Sequence, residues 1–360
     1  MKILFVNEYS QPISGAEYSQ KELAKALKAQ EFTPKWKSGC WGRAAAPLWF
    51  NNPVYYLYSA WQISRQNFDL IHVHGKYILP GAVIAGWLKR KPVVATVRDF
   101  KFLCPLALCF IDRKQCSWRY FVDHEIKAYQ RRYGYWPKTL LALAKLWQYQ
   151  LKWWLNRCRQ VIAVSPQLAQ LYRQNGVKKV VSIYNLPPKQ RPQAKGKIVL
   201  SVGKLSYGKG TDRVIEAARQ LPGFRFVFAG ALNPSLKPKF SSNCRYLGQL
   251  PHAAVLKLYP KAGVLVINSR WPEPLSRAGL EALAFGLPIV ASNRGGNREL
   301  VKGNGYLVNP ESAQEIAAAI KKVFQHPEFK KNSRNLFRTR FNRRKIITNH
   351  LNLYHQLCSK

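Results

Sequence analysis

The sequence predicts an α/β protein built from two doubly wound, Rossmann-like domains facing a central cleft. Three observations predict it. The chain has 360 residues, beyond the length at which one hydrophobic core keeps growing. Apolar runs of strand length alternate with helix-period segments in two separate series. Between the series lies Asn185-Leu-Pro-Pro-Lys-Gln-Arg-Pro192, a polar, proline-rich stretch suited to a linker.

In the first series, residues 3–7 read as a buried strand, 15–29 as a helix, 70–74 as a strand, 79–88 as a helix and 93–97 as a strand. Strand and helix in alternation argue for parallel βαβ units. The second series contains strands at 198–203, 225–230, 264–268 and 288–292, with helices at 211–220 and 276–285. The expected division is an amino-terminal domain at 1–187 with an insertion at about 100–159, a carboxyl-terminal domain at 188–340, and a final helix at 341–360 returning to the first domain. In such folds a ligand lies beyond the carboxyl ends of the strands.

Charge narrows the partners. The chain carries 58 Lys and Arg against 17 Asp and Glu, a formal net charge of +41. Up to Leu186 there are 28 basic and 9 acidic residues, and after it 30 and 8. The excess is therefore spread over both domains, and a field of this size favours polyanions: anionic lipid, acidic glycans, nucleotides or nucleic acid. The first residues lack the apolar core and cleavage site of a secretory signal. The longest uncharged apolar stretch, 77–88, is too short to span a bilayer. These features predict a cytoplasmic protein, peripheral on the inner face of the cell membrane. No Cys-x-x-Cys occurs among the seven cysteines, and the cluster Cys104, Cys109 and Cys116 reads as reduced structural thiols.

The insertion interleaves eleven aromatics between Trp118 and Trp154 with Arg119, Lys127, Arg131, Arg132, Lys138, Lys145 and Lys152. Basic stems flanking Trp and Leu suit a lipid headgroup interface. An amphipathic helix covering the domain core is the plainer alternative, and a nucleic-acid surface is the third. Nucleic acid is disfavoured, because no recognised binding motif accompanies the aromatics.

The residues that carry chemistry sit at turns. Gly15 opens a helix after the first strand, where its backbone and the helix dipole can meet an anion. It is not part of a G-x-G-x-x-G fingerprint, which argues against a nicotinamide or flavin enzyme. In the second domain a strand ends at Gly203, followed by Lys204 and, five residues on, Lys209-Gly210. Two lysines flanking a short loop can grip a diphosphate as point charges. Glu273 and Glu281 bracket a loop–helix junction in a chain poor in acids, and the helix would carry them roughly 12 Å apart along its axis. They could then meet opposite ends of one elongated ligand. No Asp-x-Asp pair is present to hold a divalent ion on a diphosphate. No metal and no other cofactor is expected.

Together these motifs resemble the retaining, GT-B fold glycosyltransferases of family 4, which use nucleotide-sugar donors. The resemblance spans nearly the whole chain: Met1–Val6, Gly15-Ala-Glu17, Asp69-Leu-Ile-His72-Val-His74-Gly75, Ala163-Val-Ser165, Gly203-Lys204 with Lys209-Gly210, Phe228-Ala-Gly230, Leu247-Gly248, Ser269 with Glu273 and Glu281, and Gly295-Gly296 with Glu299. It implies that Lys204 and Lys209 bind the donor diphosphate, that Glu273 contacts the transferred sugar, and that Glu281 bonds the ribose hydroxyls. Backbone amides at Leu275 and Ser276 would face phosphate, Gly15 would approach the donor, and Gly230, Gly248 and Leu250 would lie near the base. Many members place a His-Asp pair after the third long strand of the first domain. This chain has Arg98-Asp99, and arginine cannot act as a base. His74, Arg98 and Asp99 are the expected contacts to sugar or acceptor, while His72 reads as a buried, hydrogen-bonded residue.

The implied reaction moves a sugar from a nucleotide-sugar substrate to a hydroxyl of a glycan or lipid-linked acceptor, in cell-surface polysaccharide, lipopolysaccharide or glycolipid synthesis. The alternatives are a soluble sugar or sugar-phosphate acceptor, or a non-catalytic polyanion-binding protein of the same fold.

Overall fold

The computed structural model describes residues 1–8, 15–34, 53–100, 102–103, 150–234, 236 and 240–359. The cysteine cluster and residues 104–149 of the insertion lie outside the described residues. The chain divides into two units, Met1–Leu186 with Arg344–Lys360, and Pro187–Arg343.

The first unit holds a six-stranded parallel sheet: β1 (Ile3–Val6), β2 (Gln30–Phe32), β3 (Leu70–Val73), β4 (Val93–Val97), β5 (Gln160–Ala163) and β6 (Val180–Ser182), in the order β2-β1-β3-β4-β5-β6. Its helices are α1 (Gly15–Ala26), α2 (Pro53–Ser64), α3 (Leu79–Lys89) and α4 (Pro166–Gln174), with a further helical segment at 150–157. Strands β1, β3 and β4 are buried along their whole length, which is why they read as unbroken apolar runs and not as alternating ones. Pro53 stands at the first position of α2, where its missing N–H costs nothing. Ser165 caps α4 by accepting from the Leu168 amide at 3.3 Å.

The second unit repeats the plan with β7 (Ile198–Val202), α5 (Thr211–Arg219), β8 (Phe226–Ala229), β9 (Cys244–Tyr246), α6 (His252–Leu256), β10 (Ala262–Ile267), α7 (Arg277–Ala284), β11 (Ile289–Ser292), α8 (Asn297–Leu300), β12 (Gly305–Val308), α9 (Ala313–Gln325) and α10 (Glu328–Arg340). The sheet order is β12-β11-β10-β7-β8-β9. All pairings are parallel. Numbered within the unit this is the 3-2-1-4-5-6 order of a dinucleotide-binding fold, and the order reverses between β7 and β10. Helices α5 and α9 cover one face, burying Val214, Ile215, Ile316 and Ile320 against Phe226, Phe228 and Val264.

The last helix, α11 (Arg343–Cys358), belongs to the first unit from Arg344 onward. It places Ile346 and Tyr354 in the core built by Phe5, Leu70 and Val94.

Candidate functional site

In the second unit the strand order reverses between β7 and β10, and the chain leaving each strand carries the residues of interest. After β7, a short 3-10 turn at Tyr207–Lys209 ends on Gly210 at φ 61°. A Cβ at Gly210 would collide with the backbone oxygen of Asn268, just beyond β10. Only glycine lets the two loops close to this distance.

The closeness brings Lys209 onto Glu273. Their side chains form an ion pair through Glu273 Oε1. The same oxygen accepts from Ser269 Oγ at 2.5 Å and from Trp271 Nε1 at 2.8 Å. Oε2 takes no donor among the described residues. Burial pushes the Glu273 pKa up most, but the Lys209 charge and the three donors outweigh it and leave the carboxyl below its ordinary value. Glu273 is thus an ionised, immobilised carboxylate with one oxygen to offer. The Lys209 ammonium also lies 5.0 Å from the Trp271 ring centroid.

Arg270 holds this loop in place. It is buried, grips Asp212 with two hydrogen bonds of 2.7 and 2.8 Å, and reaches Glu311 at 2.7 Å through Nε. It also donates to the carbonyl of Tyr207 and stacks over that ring at 3.9 Å. One guanidinium therefore ties the β10 loop to the turn that presents Lys209, and both to the start of α5. Nearby, Ser206 Oγ and Asn268 Oδ1 are buried with no hydrogen-bond partner among the described residues.

Three strand ends on the other side are glycine: Gly203, Gly230 and Gly248, at φ 126°, 149° and 70°. A Cβ at Gly230 would overlap the carbonyl of Gly203, and the Gly230 amide donates to the Gly248 carbonyl at 2.8 Å. Bare backbone is therefore exposed across β7, β8 and β9. Lys204, directly after Gly203, is exposed and has no ion-pair partner among the described residues. Leu250 is half-buried.

Leu275 is buried, and Ser276 caps α7 by accepting from the Gly279 amide at 3.3 Å. Glu281 is buried on that helix. Its Oε1 meets His252 Nε2 at 2.8 Å and Arg277 Nε at 3.0 Å, and its Oε2 accepts from Tyr259 OH at 2.9 Å. Burial again raises its pKa most, and His252, Arg277 and Tyr259 together bring it below the ordinary value. Glu281 uses three of about four acceptor positions internally. The two glutamates take separate partner sets.

In the first unit the order reverses between β1 and β3. Glu8, just past β1, accepts from the Tyr77 amide at 2.5 Å and so ties that loop to the turn after β3. His72 is fully buried and bonded through both ring nitrogens, to Thr96 Oγ1 at 2.6 Å and Tyr354 OH at 2.7 Å. His74, one residue past β3, lies against His72 with ring centroids 4.0 Å apart and planes tilted by 39°. Its Nδ1 meets Arg98 at 2.9 Å, and Arg98 also reaches Asn185 at 3.2 Å. Asp99 gives its backbone carbonyl to Tyr172 OH at 2.8 Å. Gly15 begins α1.

The structure thus brings together Lys209 with Glu273, the three glycine ends, and His74 with Arg98. Sequence reasoning missed Asp212, Arg270, Trp271, His252 and Glu8. Arg270 and Trp271 lie just before Glu273; Trp271 bonds Glu273 itself, whereas the Arg270 partners Asp212 and Glu311 are remote in sequence. Among the described residues no group of three or more His, Cys, Asp or Glu could hold a metal ion, and no helix is long and apolar enough to cross a membrane.

Comparison with known proteins adds to this geometry. Residues 13–186 match the model described as Glycosyltransferase Family 4, and residues 183–340 the model described as Glycosyl transferases group 1. The chain is 31% identical over 182 residues to Spore coat protein SA of Bacillus subtilis (strain 168), a match covering 44% of this chain and 48% of that protein. The match spans about half the length of that relative. Among solved structures, sucrose-phosphate synthase from Thermosynechococcus elongatus superposes with TM-score 0.73 at 20% identity over 100% of both chains. Anabaena HepE in complex with UDP-glucose gives 0.68 at 21%, covering 99% of this chain and 100% of that one. These likenesses show the fold, a two-domain α/β architecture of the GT-B type.

Proposed function

Because the chain belongs to the glycosyltransferases of the family 4 and group 1 type, whose two models together match residues 13–340, we propose that it is a retaining, metal-independent transferase. It moves a sugar from a nucleotide diphosphate donor to a hydroxyl of a glycan or lipid-linked acceptor, in the synthesis of cell-surface polysaccharide, lipopolysaccharide or glycolipid.

The observation that carries this reading is the Lys209–Glu273 pair at the point of strand reversal. A departing diphosphate needs positive charge, and a sugar ring needs a fixed acceptor for its hydroxyls. Lys209 supplies the first, joined by exposed Lys204 and by the amides at Leu275 and Ser276 that open α7. Glu273 supplies the second through Oε2, while its three donors hold Oε1 still. The bare strand ends at Gly203, Gly230 and Gly248 allow a nucleotide to approach backbone on the base side. The remaining acceptor position on Glu281 Oε2 is the one assigned to ribose. The UDP-glucose complex of HepE, a protein of the same fold, supports a nucleotide-sugar donor. With a net charge of +41, the enzyme works at the inner face of the cell membrane as a peripheral protein.

A thermal-shift screen against UDP-, GDP- and ADP-sugars tests the donor. A true donor at a hundredfold excess over its Kd stabilises the fold by about 2.7 kcal/mol, and its identity then sets the transfer assay. Glu273→Ala and Lys209→Ala are expected to lose transfer with the fold intact; near-normal turnover in both purified variants overturns the site assignment.

A further inference from the structure

One face of the first unit is apolar, aromatic and cationic at once, and the proposed sugar-transfer site does not use it. On α2, Val54, Leu57 and Trp61 are 59%, 63% and 50% exposed. Their spacing of three and four residues places them on one stripe of the helix. Arg65 continues the stripe, its guanidinium 5.0 Å from the Trp61 ring centroid. Tyr55, Tyr56, Ser59, Ala60 and Ile63 are buried, so the helix already has its core side.

Two further elements extend the face. At the end of α3, Trp87 and Leu88 are 49% and 67% exposed and are followed by Lys89 and Arg90, while the next cation, Lys91, is paired with Asp69 at 3.6 Å. On the segment 150–157, Trp153 is 45% exposed, with the Arg157 guanidinium 4.4 Å from its ring centroid. Trp154 holds the three elements together on their packed side, meeting buried Tyr56 at 6.3 Å and Trp87 at 5.7 Å between ring centroids. None of the three elements contains an acidic residue.

We infer that this face of α2, α3 and 150–157 docks the protein on an anionic lipid bilayer. The inference specifies the membrane contact proposed above and rests on that reading for location, while being independent of sugar transfer. Exposed patches of large apolar side chains mark interaction surfaces. Two of the three exposed indoles carry an arginine over the ring, which puts an apolar body and a cation at the same depth. That is the arrangement a headgroup interface accepts, with the rings at headgroup level and the guanidinium groups on phosphate. The absence of carboxylates on the three elements removes the repulsion an anionic surface would otherwise meet. A protein partner matching the same face would need acidic groups threaded between apolar pockets; a bilayer supplies both without a specific sequence.

The test is co-sedimentation of the full chain with phosphatidylcholine vesicles, with and without phosphatidylglycerol, at low and high salt. Binding is expected only with the anionic lipid and is expected to weaken with salt. Arg65→Glu with Arg157→Glu reverses two exposed charges without touching the core and is expected to weaken partitioning about tenfold or more. Leu57→Ser with Trp61→Ser is expected to lose binding that salt alone does not abolish. Circular dichroism and melting temperature confirm that both variants fold. Unchanged partitioning in both overturns the assignment of this face. No vesicle binding by the unmodified protein overturns the bilayer as occupant, as does a dimer that Leu57→Ser with Trp61→Ser dissolves. Transfer to a soluble acceptor, measured alongside, separates these outcomes from failure of the enzymatic reading.

Discussion

Arg98 donates a hydrogen bond from Nη1 to Nδ1 of His74 at 2.9 Å, and that contact fixes where the histidine carries its proton. A guanidinium has no acceptor, so Nδ1 must be the unprotonated nitrogen and the ring is neutral with its hydrogen on Nε2. Nε2 is buried with no partner among the described residues. Burial lowers the His74 pKa well below 6.5, and the neighbouring His72 and the Arg98 charge lower it further. The pair therefore presents a hydrogen-bond donor and no free ring nitrogen to act as a base. Nitrogen-15 spectra of histidine-labelled protein near neutral pH are expected to show His74 as the Nε2–H tautomer. In Arg98→Met the tautomer preference is expected to relax and the pKa to rise. An Nδ1–H tautomer in the unmodified protein refutes the assignment.

The same neighbourhood makes the first unit sensitive to acid. His72 and His74 lie well below 6.5 and His350 falls to about 4, in each case chiefly through burial. Native histidines with depressed pKa values refuse protons that the unfolded chain accepts. Stability is therefore complete above 6.5 and is lost as pH falls from there toward the folded values. Each histidine contributes a slope of up to about 1.4 kcal/mol per pH unit, so three give up to about 4. Ten of the eleven tryptophans precede Leu186, so urea unfolding followed by tryptophan fluorescence reports this unit. A midpoint that does not fall between pH 7 and about pH 5 contradicts the account.

The strand cores were legible because buried parallel strands are written as short runs of Val, Ile, Leu and Phe. Their ends were less so. The sequence carries the run at 198–203 through Gly203, but the strand stops at Val202, because Gly203 at φ 126° has left the extended region. Helix α2 was hidden inside an uncharged stretch, where no polar face marks a helical period, and its packing against α3 defines it. Of the site, Glu273, Lys209 and the glycines could be singled out, since they lie in the loops that leave strands and are residue types suited to anions or sugars. Arg270 could not be assigned a role, since its partners Asp212 and Glu311 lie 58 and 41 residues away. Lys204 and Lys209 read alike in the sequence; in the structure Lys209 is paired with Glu273 and Lys204 is exposed.

Lys209 and Glu273 share one ion pair, so their effects on turnover are not independent. Removing either loosens the other, because Glu273 loses its nearest cation or Lys209 loses its tether. Lys209→Met and Glu273→Gln are each expected to lower kcat by about a hundredfold or more, as removal of a transition-state contact does. The double variant is expected to be far less damaged than the product of the two losses. Strict multiplication in the double variant is the result that contradicts a shared unit. Glu273→Gln keeps the shape but removes the charge. It therefore also tests whether Lys209 holds its place through the ion pair or through the Trp271 ring.

Arg270 acts through other residues, and its contribution separates from a merely structural one by where the loss appears. The guanidinium is buried and satisfies Asp212, Glu311 and the Tyr207 carbonyl together. Arg270→Ala removes the buried guanidinium from two partly exposed carboxylates and from the Tyr207 carbonyl, and is expected to cost about 1–2 kcal/mol of stability. Arg270→Lys keeps the charge but cannot reach both carboxylates with paired hydrogen bonds. It is expected to recover most of the melting temperature. What it does not recover is the placement of the turn at Tyr207–Lys209, so its donor Kd is expected to remain raised by about tenfold. Calorimetric titration of donor against each variant, beside thermal melts, reads both quantities. Full recovery of donor affinity in Arg270→Lys reduces Arg270 to a structural cation; a persistent loss of affinity at near-normal stability makes it the residue that positions Lys209.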